Sequence, residues 1–260
     1  MHASTLFIGQ SLIELDQVDS TNVYARQMLD TSTVRPIEGT VVFTHYQFSG
    51  KGQRGTTWSS QAGKNIMMSL ILYPETLAAR EQFYLSMAMA LGVLDLMKCI
   101  VAEQSDLDAT KLHVKWPNDL YHENHKLGGI LIENSLRKES IQTSIVGIGI
   151  NLNQVDFAYE LSQATSVRRI TGHDVDLKNT IQQAFHFLEA RYLQVKARKF
   201  DKIKTDYLAA LYRFNEAHDF YTIDGVVHGK ITGVDTDGKL EVLVAEKHRY
   251  YDLKEIRFLI

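Results

Sequence analysis

The sequence predicts an α+β fold: a mixed, largely antiparallel sheet with flanking helices, followed by a small C-terminal β-barrel. Three observations predict it. Short apolar and β-branched runs are joined by brief turns rather than crossover helices, which favours antiparallel pairing over a doubly wound sheet. Two long stretches, 80–102 and 176–214, carry apolar residues at helical spacing. The last 45 or so residues turn into short strand-like runs punctuated by Asp-Gly pairs.

In chain order, residues 11–16 alternate as a short strand, and Ser20, Thr21 and Asn22 then supply N-cap chemistry for a helix running to Leu29. Residues 39–45 and 65–72 are β-branched or apolar and read as strands; the polar, Gly-rich run 47–64 between them reads as a loop. The helix at 80–102 follows, apolar enough to be buried but carrying Asp95 and Lys98, which argues against a membrane span. Residues 112–116 and 127–133 are strands with a polar turn at 121–125, and 144–151 is a core strand. Ile181, Phe185, Leu188, Tyr192 and Val195 then mark a helix by their spacing of three or four. The runs 221–223, 225–232, 240–244 and 249–253 complete the barrel, with turns at Asp224-Gly225 and Asp237-Gly238. The expected division is a catalytic domain over 1–213 and a barrel over 214–260.

Composition excludes several classes. With 45% hydrophobic and 23% charged residues, three prolines and sixteen glycines, the chain is neither disordered nor low-complexity. Net charge is −3, and 214–260 carries nine acids against six bases, so the basic footprint of a nucleic-acid binder or polybasic membrane anchor is missing. Cys99 is the sole cysteine, which excludes an intramolecular disulfide and a cysteine-based zinc cluster and fits a reducing cytoplasm. No Lys or Arg precedes Arg26, unlike a secretory signal. Cytoplasmic localisation is therefore expected. About ten residues precede the first strand, too few for a helix-turn-helix module, so no direct DNA binding is expected.

Eight of the sixteen glycines fall in three clusters, at 50–63, 128–129 and 147–149. The first is Gly50-Lys51-Gly52-Gln53-Arg54-Gly55, with Trp58 and Lys64 after it. Glycine lets backbone N–H groups and cationic side chains approach an anion, and residues 39–74 hold three bases and no acid. A phosphate or carboxylate suits such a loop; a mobile surface hairpin with solubilising bases fits the same residues. Neither a Walker A loop nor a dinucleotide fingerprint matches. In the second cluster, Lys115-Trp116-Pro117-Asn118-Asp119 precedes Lys126-Leu127-Gly128-Gly129. Pro117 restrains its neighbours, so Asn118 and Asp119 are rigidly presented, and Lys126 could meet a carboxylate during activation. An Asn-Asp turn with a snorkelling lysine is the simpler alternative. The third, Gly147-Ile148-Gly149-Ile150-Asn151, places glycine inside an apolar strand, where a ligand ring or another backbone comes close, or where a helix crosses a tightly packed strand. His122 and His125 lack a third ligand at zinc spacing, Ser20 lacks a nucleophile elbow, and Met67, Met68, Met87, Met89 and Met97 read as core filler.

Taken in order, Asp19-Ser20-Thr21-Asn22, the loop ending in Trp58, Lys115-Trp116-Pro117-Asn118-Asp119, Lys126-x-Gly128-Gly129 and Gly147-x-Gly149-x-Asn151 resemble the biotin–protein ligases, in the short monofunctional form without an N-terminal DNA-binding domain. The resemblance implies a fold related to class II aminoacyl-tRNA synthetases with an SH3-like barrel at the C-terminus. It implies an ATP-dependent ligase: biotin and ATP give biotinyl-AMP and pyrophosphate, and biotin passes to a lysine of a biotin carboxyl carrier domain, as in acetyl-CoA carboxylase. Mg²⁺ would come with ATP, with no protein metal cluster and no tightly bound prosthetic group. By correspondence, Ser20, Thr21 and Gln47 hold the ureido head of biotin, and Asn22 belongs to the biotin-binding set. Gly50, Lys51, Gly52 and Gln53 close over the valeryl chain, and Gly129 and Gly147 leave room for the bicyclic ring. Lys51, Arg54, Trp58, Lys115, Asn118 and Asn151 serve ATP, Lys126 meets the carboxylate and α-phosphate, and Asp119 helps deprotonate the acceptor lysine. A membrane partner is not expected, and a homodimer stays open.

The pattern departs in one place. Relatives carry an arginine where Gln53 stands, and this chain has its arginine one residue later, at Arg54. Adjacent residues point to different faces, so the expectation is that Arg54 takes the phosphate role after a local rearrangement. Lipoate or octanoate ligases share the adenylate logic; the Lys-Trp-Pro-Asn-Asp run and the barrel favour biotin. A non-catalytic biotin sensor is the reading from another class.

Overall fold

The computed structural model describes residues 5–103 and 108–259, apart from the Arg54 side chain. Its centre is a seven-stranded mixed sheet. The strands, in chain order, are β1 (Leu12–Val18), β2 (Val41–Gln47), β5 (Ile66–Leu72), β6 (Leu112–Lys115), β7 (Asp119–His122), β8 (His125–Arg137) and β9 (Ser140–Ile150). Across the sheet they run β1-β2-β5-β9-β8-β7-β6. Only β1 and β2 are parallel, joined by α1 (Thr21–Thr31); every other neighbouring pair is antiparallel. The predicted mixed, largely antiparallel sheet is therefore present.

Both faces of the sheet centre are covered. All seven residues of β5 are buried, which explains its uninterrupted apolar run. One face packs on α2 (Gln82–Glu103), α4 (Leu177–Lys196) and α5 (Phe200–Ala209) through the main core, with Met68, Leu70, Ile148 and Val146 meeting Leu85, Met89 and Leu188. The other face is partly covered by α1, where Ala25 joins Val42, Ile71 and Ile145. Helix α2 is long and apolar enough to cross a membrane, yet it is the buried core helix of this sheet. Its Gly92 lets it approach the α4 backbone at Leu188.

A five-stranded antiparallel sheet follows: β10 (Ala217–Thr222), β11 (Gly225–Val234), β12 (Leu240–Val244), β13 (Lys247–Tyr251) and β14 (Ile256–Phe258), in the order β13-β12-β11-β10-β14. Its turns use Gly225 and Gly238 at φ of +101° and +90°, as the Asp-Gly pairs predict. This sheet shares the main core through Phe220, Ile231 and Leu240. It is also tied to the larger sheet by the buried Trp116 indole N–H, which donates to the Gly238 carbonyl at 2.9 Å.

Several boundaries differ from expectation. The run 47–64 contains a small hairpin of β3 (Gly50–Lys51) and β4 (Thr57–Trp58) around a short 3-10 turn at Gln53–Gly55. The turn expected at 121–125 narrows to Glu123 and Asn124, because β7 and β8 pair down to His122 and His125. Helix α3 (Val167–Thr171), β14 and the break between α4 and α5 carried no clear signal. Ser20 stands at the N-cap of α1, but its hydroxyl does not cap the helix. The five methionines are buried, as core filler should be.

The N-terminal segment is held by one acid. Glu189 of α4, 5% exposed, accepts the N–H groups of Leu6, Phe7 and Ile8 at 2.6, 2.8 and 2.9 Å. Glu189→Ala leaves three donors without that partner and is expected to lower unfolding free energy by about 3 kcal/mol in urea titration. A midpoint unchanged from the parent would show that the segment contributes nothing to stability.

Candidate active site

A cavity of about 480 Å³ opens on the sheet face that α1 covers only in part. Its floor is a strip without side chains. Gly129 of β8 pairs with Gly149 of β9, and Gly147 lies two residues on, facing the same way. The row continues outward from Gly129 to Asp119 of β7 and on to Lys115 of β6. What approaches the strip is side chains of this chain, one of them from the first turn of helix α1, which crosses this face. A Cβ at Gly147 would strike the Asn22 amide, and one at Gly149 would lie 2.7 Å from the Trp58 ring. A Cβ at Gly129 would lie 2.9 Å from the Asp119 carboxylate.

Three groups close on that floor. At one end, the start of α1 and the end of β2 form a buried polar network. The Gln47 amide oxygen accepts the Thr21 N–H at 2.7 Å and the Thr21 hydroxyl at 3.2 Å. The Ser69 hydroxyl lies 2.7 Å from Thr21 Oγ1 and 2.6 Å from Asn22 Oδ1. Ser20, Thr21 and Asn22 are each 3% exposed, so these polar atoms are committed to one another or to a ligand.

In the middle, Lys126 Nζ lies 2.7 Å from Asp119 Oδ1. Both side chains remain about one-third exposed, at 36% and 29%, so the pair can exchange partners. The Lys126 backbone is pinned on both sides by the 163–165 segment: its N–H donates to the Gln163 carbonyl and its carbonyl accepts from Thr165.

Over the top sits the β3–β4 hairpin. Gly50 pairs with Trp58, and a Cβ there would meet the Trp58 carbonyl at 2.5 Å, so this close pairing needs glycine. The hairpin tip is tethered by Gln53, whose Nε2 donates to Asn118 Oδ1 at 2.7 Å; Asn118 Nδ2 in turn donates to the Ile130 carbonyl at 2.8 Å. The Trp58 indole N–H is buried with no hydrogen-bond partner among the described residues.

A profile of the biotin/lipoate A/B protein ligase family matches residues 15–151, which run from β1 to the end of β9 and its neighbouring Asn151. The chain belongs to that family. The bifunctional ligase/repressor BirA of Bacillus spizizenii is 31% identical over 239 residues, spanning 91% of this chain and 70% of that protein. The biotin–acetyl-CoA-carboxylase ligase of Paracoccus denitrificans is 30% identical over 233 residues, spanning 87% and 91%. Among solved structures, the biotin protein ligase of Aquifex aeolicus in complex with biotin and ATP superposes with a TM-score of 0.77 at 27% identity, covering 95% of this chain and 98% of that one.

Most residues singled out in the sequence do meet in this ligase-family cavity. Ser20, Thr21, Asn22, Gln47, Lys51, Gly52, Gln53, Trp58, Asp119, Lys126, Gly129, Gly147 and Asn151 all line it. Gly50, Lys115 and Asn118 do not. Gly50 is used up in the hairpin, and Asn118 is 4% exposed with its amide committed to the Gln53 tether and a strand carbonyl. The Arg54 side chain lies outside the described residues, so the structure leaves its expected phosphate contact without a geometry. Phe157, Leu161, Ala164 and Leu253 also line the cavity and were missed, as was Ser69 beneath it. All are ordinary residue types brought in by tertiary folding, without a local signal.

Lys115 lies outside the cavity, packed against aromatic rings. Its ammonium lies 3.1 Å from the Tyr121 hydroxyl and over the Tyr121 and Phe258 rings, at 4.7 and 5.0 Å from their centroids. Burial pushes its pKa down to about 8; Asp119 opposes that shift, while Lys126 and Arg213 add to it. Burial likewise pushes the Tyr121 phenol up. Between pH 8 and the ordinary lysine value of 10.5, the unfolded chain holds a proton that the folded one has lost. Stability therefore rises with pH across that window, by at most about 1.4 kcal/mol per unit. Lys115→Met is expected to flatten this rise in urea titrations from pH 7.5 to 10.5; parallel profiles for parent and variant would remove Lys115 as the titrating group.

Proposed function

We propose that this chain is a biotin–protein ligase. It activates biotin with ATP to biotinyl-5′-AMP and transfers the biotinyl group to a lysine of a biotin carboxyl carrier domain of the acetyl-CoA carboxylase type. The observation that carries the reading is the placement of Lys126 and Asp119 at the centre of a cavity with an amide-and-hydroxyl network at one end and a Trp-bearing hairpin above. Family membership and the likeness to ligases named for biotin, ATP and acetyl-CoA carboxylase support it.

The chemistry follows from these positions. The ureido head of biotin binds at the Thr21–Asn22–Gln47 end, which directs its carboxylate along the glycine strip towards Lys126. There the carboxylate oxygen attacks the α-phosphorus of ATP, and the bond to the β-phosphate oxygen breaks to release pyrophosphate. Lys126 exchanges Asp119 for the substrate carboxylate and α-phosphate, where a fixed cation opposes the developing charge. Lys51, on the hairpin, adds a second cation, and the Trp58 ring and Asn151 flank the adenylate.

Asp119, released by Lys126, takes the proton of the incoming lysine. The freed amine attacks the acyl carbon, an amide forms and AMP leaves. Closing the hairpin keeps water from the mixed anhydride.

Among the described residues, no three His, Cys, Asp or Glu side chains cluster to hold a metal, and Asp119 is the one carboxylate lining the cavity. The donor set therefore fits Mg²⁺ held mainly by ATP oxygens, where it spreads phosphate charge. The five-stranded C-terminal sheet, read as an SH3-like barrel domain from about residue 214, supplies Leu253 to the cavity wall.

Two measurements test the reading. Incubation with biotin, ATP, Mg²⁺ and a carrier domain is expected to add one biotin to the carrier by mass spectrometry; modification with lipoate or octanoate and none with biotin would reassign the substrate. Lys126→Ala is expected to slow biotin-dependent pyrophosphate exchange by about a hundred-fold or more, and near-parental exchange would remove Lys126 from the activation step.

A further inference from the structure

Glu133 has a position that neither the fold nor the reaction explains. It stands in the middle of β8 paired with Ile145, and it does not line the cavity. Its carboxylate is divided between two residues of α1. Oε2 accepts Asn22 Nδ2 at 2.8 Å, and Oε1 lies 3.0 Å from the Arg26 guanidinium. Asn22 and Arg26 are four apart, one helical turn, so both reach the same strand residue.

The two ends of a primary amide have nearly the same shape but opposite hydrogen-bonding character. A carboxylate only accepts, so it selects the amide nitrogen. With Nδ2 on Glu133, Asn22 Oδ1 is turned over Gly147 on the cavity floor, 2.6 Å from Ser69 Oγ. The Ser69 hydroxyl has one proton for two acceptors, Asn22 Oδ1 and Thr21 Oγ1, which leaves acceptor capacity for a ligand. Gln47 is fixed by the same logic: its oxygen is taken by Thr21, so its other side is the NH₂ group. This end of the cavity therefore offers acceptors on one side and a donor on the other. A cyclic urea, with two N–H donors flanking a carbonyl acceptor, is its complement.

We propose that Glu133, backed by Arg26, is a positioning residue that holds the Asn22 amide oxygen over the cavity floor and so sets this end of the cavity to select the N–H donors of a cyclic urea. This rests on the reading of biotin as the substrate. Specificity for the head group is then set from a residue outside the pocket, through the orientation of an amide rather than through a contact with the ligand.

An exchange of the two side chains tests this. In Asn22→Asp two carboxylates face each other, and in Glu133→Gln the amide at 22 is free to flip. In Asn22→Asp/Glu133→Gln the glutamine introduced at 133 donates to the new carboxylate, and an acceptor oxygen again faces the cavity. Biotin-dependent pyrophosphate exchange is measured for all four proteins, with KM for biotin and for ATP determined separately. Each single variant is expected to raise the biotin KM by about ten-fold or more with the ATP KM unchanged, and the double variant to recover most of that loss. An unchanged biotin KM in Glu133→Gln, equal rises in both KM values, or a double variant no better than the worse single one would overturn the proposal. Absence of biotin-dependent exchange in the parent would overturn the biotin reading, and the positioning role with it; a normally active parent confines any failure to Glu133.

Discussion

A strip of sheet without side chains is the constraint on which the site depends. Glycine inside a strand costs packing and backbone entropy. Here it is spent at the middle of a sheet whose central strand, β5, is buried along its whole length. The floor is therefore rigid and bare at once. The side chains that crowd it come from elsewhere: Asn22 from the first turn of α1, Trp58 from the hairpin, and Asp119 and Lys126 from either side of the β7–β8 turn. Adding a methyl group anywhere on the strip displaces one of these before it touches a substrate. Positioning of these side chains and the space of the cavity are thus the same requirement.

Two lysines at the edge of that strip show how surroundings divide labour. Lys126 keeps a third of its side chain in solvent and holds an exchangeable carboxylate, which suits a group that must leave one anion for another. Lys115, on the same row of side chains through its pairing with Asp119, is packed under Tyr121 and Phe258 and loses much of its affinity for a proton. One is a cation that lines the cavity. The other joins the C-terminal sheet to the sheet edge beside the site, as does Trp116 through the Gly238 carbonyl.

These contacts also mark what could be read from the chain. The strip was legible because glycine within an apolar β-branched run weakens the sheet and is tolerated where something must lie close to the strand. Most strands were legible from composition and turns. The lysine and the acid of the site were legible through the order of their motifs. The polar network beneath was not: Ser69 sits in a run of aliphatic residues, and its partners lie 47 and 48 positions away. Glu133 bonds a residue 111 positions distant, and nothing local separates it from any other strand acid. Pro117 suggested that the Lys-Trp-Pro-Asn-Asp run works as a stiff presenter, yet three of its members make structural contacts: Lys115 and Trp116 with the C-terminal sheet and Asn118 with the hairpin.

Where the family resemblance leads one to expect an arginine, Gln53 makes a neutral contact at the hairpin tip. A cation at this position would lose solvation on entering the space beside Asn118 and would find only a neutral amide, so its closure would favour the presence of an anion. Gln53 makes a neutral hydrogen bond to Asn118 instead, worth about 1 kcal/mol net. That is a modest anchor for the hairpin tip. The contact at the hairpin tip therefore needs no anion, and Lys126 in the floor and Lys51 in the hairpin both line the cavity beneath it. The Gln53 tether also connects the hairpin to Ile130 through Asn118, next to the strip itself, and so to the strand that carries Lys126 and Gly129.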